Sequence, residues 1–208
     1  MAQFDVFNGD ADGICSLHQL RLNHPVDAQL VTGVKRDVCL LRRVRARSGD
    51  SVTVLDVSLD SNRASLMSLL DRGVNIDYFD HHFPGRIPHV ARLTTHIGTS
   101  ADTCTGLIVN HYLRGENRLW AIVAAYGDNL AHAAHRLAIA CALPPPEEER
   151  LRELGEAINY NAYGESVEDL IVDPVTMYRD IQPFSNPLDF IAATNLPGRL
   201  TLARMEDL

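Results

Sequence analysis

Four short apolar runs, each followed by a helix-like stretch or a turn, constrain this fold more than any other feature. FDVF (4–7) precedes an amphipathic stretch over 14–22, and AQLVTG (28–33) precedes one over 37–47. SVTVLDV (51–57) precedes 61–72, and VNIDYF (74–79) ends at a loop holding Pro84 and Gly85. Short β-type runs alternating with helical periods predict a parallel sheet covered by helices. Right-handed crossovers then put every strand's C-terminal end on one edge of the sheet. From Ser100 onward the pattern becomes helical. Ser100 or Asp102 can cap a helix reaching Leu113, and Asn117 starts an apolar helix carrying WAIVAAYGDN. After Pro144–Pro146, EEERLRELGEAI reads as a solvated amphipathic helix with acids at its N-terminus. The expected class is α/β, a parallel sheet flanked by helices and followed by a helical C-terminal part.

Several function classes fall on composition and motif. The 208 residues are 46% apolar and 22% charged, an ordinary globular balance, and 19 basic against 27 acidic side chains leave −8. Such a charge disfavours holding nucleic acid by bulk electrostatics. The longest apolar runs, 120–126 and 137–143, are too short to span a bilayer, so no membrane partner is expected. The start, MAQFDVFNGD, has no secretory pattern. Cys15, Cys39, Cys104 and Cys141 are widely spaced among apolar residues and read as reduced thiols. There is no G-x-G-x-x-G, and the single lysine, Lys35, lacks the Walker spacing. A cytoplasmic protein is expected, and neither a Rossmann nor a P-loop nucleotide binder.

The chemistry gathers where the strands end. Asp10 and Asp12 follow the first run, Asp56 closes the third, and Asp80-His81-His82 follow the fourth. In a parallel sheet these groups converge at the C-terminal edge, where open α/β folds bind ligands. Bare carboxylates a few Å apart repel and take up protons unless a cation intervenes. Asp and His without Cys suit Mn²⁺ or Mg²⁺. Two such ions, about 3.5–4 Å apart, clamp a phosphoryl group and make a nucleophile of water. The four charges of Asp10, Asp12, Asp56 and Asp128 would be balanced by two divalent ions. Taken singly, Asp12 can be a helix cap and Asp56 a strand end.

F-N-G-D-A-D-G (7–13), V-L-D (54–56), D-H-H (80–82) and G-D-N (127–129), in this order, resemble the four motifs of the DHH phosphoesterase superfamily. That group includes RecJ-type exonucleases, nanoRNases, exopolyphosphatase-like proteins and family II inorganic pyrophosphatases. The resemblance runs from residue 1 to about 180. It implies a parallel α/β domain with a two-metal site that hydrolyses a phosphodiester or phosphoanhydride by metal-activated water. By the same resemblance Asp10 binds the first metal, Asp12 the second, and Asp56 bridges both. His81 and Asp128 complete the second, His82 sits beside the phosphate and its leaving oxygen, and Asp80 is the acceptor orienting its neighbouring histidine. Two departures stand out. Val6 occupies the place of a histidine in many members. Asn8 stands where RecJ-type members carry Asp, which leaves Asn8 as an oxygen ligand or water contact.

The family's glycine-rich, basic C-terminal substrate grip has no counterpart here. Residues 1–182 are therefore expected to form the phosphoesterase domain and 183–208 a linker or docked tail, with the grip supplied by further chain or by another subunit of a homo-oligomer. Thr99 and Ser100, after Gly98, can offer groups to a phosphate, or simply cap a helix. His132 and His135 can share a helix face with Asp128, or merely lie at the surface. Six basic residues within 35–47 form a solvated face or a landing strip for a nucleic-acid backbone. The expected function is hydrolysis of a short oligonucleotide, nucleotide or other small phosphorylated substrate. The alternative is a catalytically weak metal- or nucleotide-binding domain with a sensing or assembly role.

Overall fold

The computed structural model describes residues 1–206, so Asp207 and Leu208 of the expected tail lie outside the described residues. Five strands, β1 (Gln3–Phe7), β2 (Gln29–Val31), β3 (Ser51–Leu55), β4 (Asn75–Asp80) and β5 (Leu93–Ile97), form one sheet in the order β2-β1-β3-β4-β5. Every pairing is parallel. Helices α1 (Ala11–Asn23) and α2 (Arg63–Asp71) lie within the strand-rich half. They are followed by α3 (Thr105–Tyr112), α4 (Arg118–Gly127), α5 (Ala131–Ala140), α6 (Pro145–Asn161), α7 (Pro174–Ile181), α8 (Pro187–Ala193) and α9 (Leu196–Glu206).

Strand alternation sorts the core into two layers. Val6, Val54 and Tyr78 point into one cluster with Leu66 and Leu69 of α2. Phe7, Leu55 and Phe79 point into the other, which α1, α3, α4 and the C-terminal helices complete. A sheet buried on both faces needs apolar residues at successive positions, which is why these strands read as short continuous runs. The chain leaves β1 for β2 on one side and later places β3 on the other. The switch point of the sheet therefore lies between β1 and β3, the crevice in which open α/β sheets accept ligands.

Three local expectations are corrected. The helix expected over 37–47 is only a short 3-10 turn at Leu40–Arg43, since Arg43 and Arg42 turn back to Asp37 and Arg45 donates to the Arg42 carbonyl. The helix expected to begin at Ser100 begins at Thr105, because the Asp102 carboxylate accepts from Ser100 and Arg136 instead of capping. β5 is not among the expected strands. It is an edge strand, LTTHI, whose polar content hides the alternating signal.

The C-terminal helices dock on the domain. Pro145 and Pro174 sit in the first turns of α6 and α7, where the missing N–H costs nothing, and the Asp173 carboxylate caps α7. Leu200 of α9 is fully buried, and Arg204 pairs with Glu156 of α6 at 2.6 Å. The segment before α8 is tied to α1 and α4. His18 Nε2 bonds to the Phe184 carbonyl at 2.8 Å, and Trp120 Nε1 donates to the Ser185 carbonyl at 3.1 Å. Burial outweighs that hydrogen bond and pulls the His18 imidazole down to about 4.

A histidine kept neutral in the fold but free to charge when unfolded stabilises above the unfolded value and loses that contribution as pH falls. The window here runs from about 6.5 to about 4. His18→Gln keeps a donor for Phe184 and removes the titration. Between pH 7 and pH 4 the wild type should lose about 3 kcal/mol of unfolding free energy more than the variant in urea melts at both pH values. Parallel losses in the two proteins would show that His18 does not titrate in this way.

Candidate metal centre

The site is built from four connections at the C-terminal edge of the sheet. The β1–α1 turn delivers Asp10 and Asp12. Asp10 is the N-cap of α1, its Oδ1 accepting from Gly13 N at 3.0 Å. Asp12, in the first turn and 1% exposed, points across to α3, where Oδ2 accepts from Thr105 N at 2.8 Å and Oδ1 from Gly106 N at 2.7 Å. Gly106 permits this approach: a Cβ there would stand 2.4 Å from the Ala124 Cβ and 3.1 Å from Asp12 Oδ1.

Asp56 follows β3 with a left-handed φ of 57°, which turns the chain sharply at the strand end. Its N–H donates to the Phe79 carbonyl at 3.0 Å, and its Oδ1 accepts from the Thr105 hydroxyl at 3.2 Å. Asp128 caps the C-terminal end of α4. Gly127 just before it packs so tightly that a Cβ would lie 2.3 Å from the Ala11 Cβ, which seats α4 beside the start of α1.

His81 lies at the centre. Its Nε2 is 3.3 Å from Asp56 Oδ1, 3.8 Å from Asp128 Oδ2 and 3.9 Å from Asp12 Oδ2. Asp12, His81 and Asp128 offer three ligand atoms within 4.8 Å of one another, and Asp56, His81 and His82 do the same. Divalent ions with oxygen bonds of about 2.0–2.6 Å space their neighbouring ligands by about 3–4 Å. The carboxylates themselves call for a cation. Burial, then repulsion from the neighbouring carboxylates, pushes Asp56 well above the usual carboxyl range; burial likewise raises Asp12 and lifts Asp128 to about 6. The residues present therefore fit a divalent ion.

The second histidine is held differently. Asp80 is fully buried, and its Oδ1 accepts from the backbone N–H groups of His81 and His82 and bonds His82 Nδ1 at 2.7 Å. That side-chain hydrogen bond raises His82 above the ordinary histidine value, against the pull of burial. His82 shares with Asn8, Asp10, Asp56, His81 and Asp128 the lining of a cavity of about 330 Å³.

Of the other expected residues, Asn8 lies in the cavity lining and the rest fall outside it. Asn8 accepts from Asp10 N through its Oδ1 and donates to the Lys35 carbonyl. Thr99 and Ser100 lie exposed on the β5–α3 connection, outside the cavity lining. His132 is exposed on α5 and also outside it; Asn129, with φ 60°, separates Asp128 from that helix, so the two do not share a helix face. Lys35 was missed as a site residue. Its ammonium sits 2.7 Å from Asp10 Oδ2, and the signal in the sequence was that it is the chain's one lysine.

No family model matches the chain, and no curated protein sequence matches it. Among the described residues no helix is long and apolar enough to cross a membrane. Solved structures do match. Exonuclease RecJ bound to manganese superposes with a TM-score of 0.56 at 20% identity, over 98% of this chain and 62% of that one. RecJ from Thermus thermophilus in complex with Mn²⁺ gives 0.55 at 20% identity, over 98% of this chain and 35% of that one. The chain thus spans less than two thirds of either structure's length, and what it shares with RecJ over nearly its whole extent is the fold that the four DHH-type motifs implied.

Proposed function

We propose that this chain is a divalent-metal-dependent phosphoesterase that hydrolyses a phosphodiester or phosphoanhydride of a short oligonucleotide or nucleotide. The observation carrying the proposal is the gathering of Asp12, Asp56 and Asp128 around His81 Nε2, beside a histidine oriented by a buried carboxylate. The fold likeness to RecJ structures described as an exonuclease bound to manganese supports both the metal and the bond class. In this reading residues 1–182 are the hydrolytic unit and 183–208 its linker or docked tail.

Asp12, Asp56, His81 and Asp128 would hold the ion. When bound, it would polarise a phosphoryl oxygen and ease deprotonation of water near neutral pH. The protein's own contribution is positional. The Thr105 and Gly106 amides fix Asp12, and the Thr105 hydroxyl fixes Asp56. Asp80 occupies His82 Nδ1, which leaves Nε2 as the nitrogen for substrate. With its value raised by Asp80, His82 keeps a proton at neutral pH more readily than a free imidazole. That proton is available to the phosphate or its leaving oxygen. Asn8 contributes a buried polar side chain to the cavity lining.

These roles are separable by melting and by turnover. Mn²⁺ should raise the melting temperature of EDTA-treated protein, by the equivalent of about 2.7 kcal/mol at a hundredfold excess over Kd. Asp56→Asn removes a buried, mutually repelled charge, so it should melt higher than wild type in EDTA and gain little from Mn²⁺. Melting curves in EDTA, Mn²⁺ and Mg²⁺ check both statements; an unchanged wild-type midpoint would remove the metal centre.

Hydrolysis of bis-p-nitrophenyl phosphate should require Mn²⁺ or Mg²⁺. His81→Ala should lose metal and turnover together. His82→Ala should keep its metal while kcat falls about 100-fold or more. Metal bound without any hydrolysis would favour the sensing or assembly reading instead. Equal metal loss in both variants would mean the histidines are wrongly distinguished.

A further inference from the structure

Asp10 differs from the other carboxylates of the cluster because it already has a cation. Lys35 Nζ lies 2.7 Å from Asp10 Oδ2, donates to Asn159 Oδ1 of α6 at 2.7 Å, and stands 5.6 Å over the Tyr163 ring. Its backbone is anchored too, with N–H donating to the Ala162 carbonyl at 3.0 Å. The other Asp10 oxygen is taken by Gly13 N. Among the described residues no lysine or arginine forms an ion pair with Asp12, Asp56 or Asp128; they share the His81 imidazole, and the Lys35 charge reaches Asp128 only at longer range. Neither group of converging ligand atoms includes Asp10. The residues beside it do not complete a second set, since Val6 is hydrocarbon and the Asn8 Oδ1 accepts from Asp10 N.

The residue type matters. Lys35 is the sole lysine in a chain whose other basic side chains of this kind are arginines. An ammonium is a compact point charge, whereas a guanidinium is a wide planar fork. The compact shape suits a position between a carboxylate, an amide oxygen and a ring face.

We propose that Lys35 is a built-in cation of this site. Its ammonium takes the place of one divalent ion, so the cluster loads a single ion on Asp12, Asp56, His81 and Asp128 where the sequence motifs implied two. The proposal rests on the reading of the cluster as a divalent-ion site. An ion seated on Asp10 would stand against a like charge and would need Lys35 to abandon Asn159 and Tyr163. Lys35 lines the same cavity as His81, His82 and Asp128, so its charge faces the space where a phosphoryl group would bind.

The test counts metal without assaying turnover. The 208-residue protein is loaded with Mn²⁺, desalted, and examined by elemental analysis and electron paramagnetic resonance. Wild type should carry one Mn²⁺ per chain with the hyperfine pattern of an isolated ion. Lys35→Met, shown folded by circular dichroism, should take up a second equivalent and give a spin-coupled spectrum. Asp10→Asn retains the helix cap and decides the matter if Lys35→Met does not fold. It should still bind one Mn²⁺, with Kd changed by less than roughly tenfold, the lower range for losing a group that orients a ligand. Two coupled ions in wild type would overturn the proposal while leaving the metal centre standing. A folded Lys35→Met that stays at one ion, or an Asp10→Asn that loses its metal, would also overturn it. No Mn²⁺ in wild type would overturn the metal centre and this proposal together.

Discussion

Mutual repulsion among buried carboxylates is the constraint on which the rest of this structure turns. Asp12 and Asp56 are almost wholly enclosed, and Asp128 lies beside them, with all three raised first by burial and further by neighbouring carboxylates, Asp10 among them. At an effective dielectric of about 20, two like unit charges 4 Å apart cost about 4 kcal/mol. A fold that gathers three such groups around one imidazole gives up stability locally in return for a place where positive charge is strongly favoured. The strand order makes this unavoidable. With β1 and β3 adjacent at the switch point, the residues leaving each strand must meet.

The neighbouring helices are arranged around that constraint. α3 presents its first two amides to Asp12, and Gly106 lets α3 approach α4 closely enough to do so. α4 ends on Asp128 because Gly127 packs against Ala11. The C-terminal part also reaches the site. α6 and the residues after it hold Lys35 through Asn159, Ala162 and Tyr163, and thereby keep its ammonium against Asp10. The Phe184 and Ser185 carbonyls tie the last helices to α1 and α4, the two elements that carry Asp12 and lead to Asp128. Sheet, helices and tail thus act on one small volume.

How much of this was legible in the sequence follows from the range of each interaction. The three central strands β1, β3 and β4 announced themselves because burial on both faces demands runs such as SVTVL, and Asp10, Asp12, Asp56 and Asp80 were legible because they follow or close such runs. β5 escaped because an edge strand with Thr94 exposed has little apolar pattern. The separation of His132 from Asp128 escaped because a single left-handed residue, Asn129, ends one helix before the next begins. Lys35 escaped for a different reason. It sits in a run of basic residues, and its partner Asn159 lies 124 positions away, so its being the one lysine marks it while only the tertiary structure shows what it pairs with.

We propose that these carboxylates and His81 form one cation site at the switch point of the sheet. Diffraction from crystals grown with Mn²⁺, collected at the manganese absorption edge, addresses it most directly because the anomalous map locates the ion without reference to activity. A single cation site should give a peak bonded to Asp12, Asp56, His81 and Asp128. A map with no peak there, or with manganese only at exposed surface acids, would contradict it.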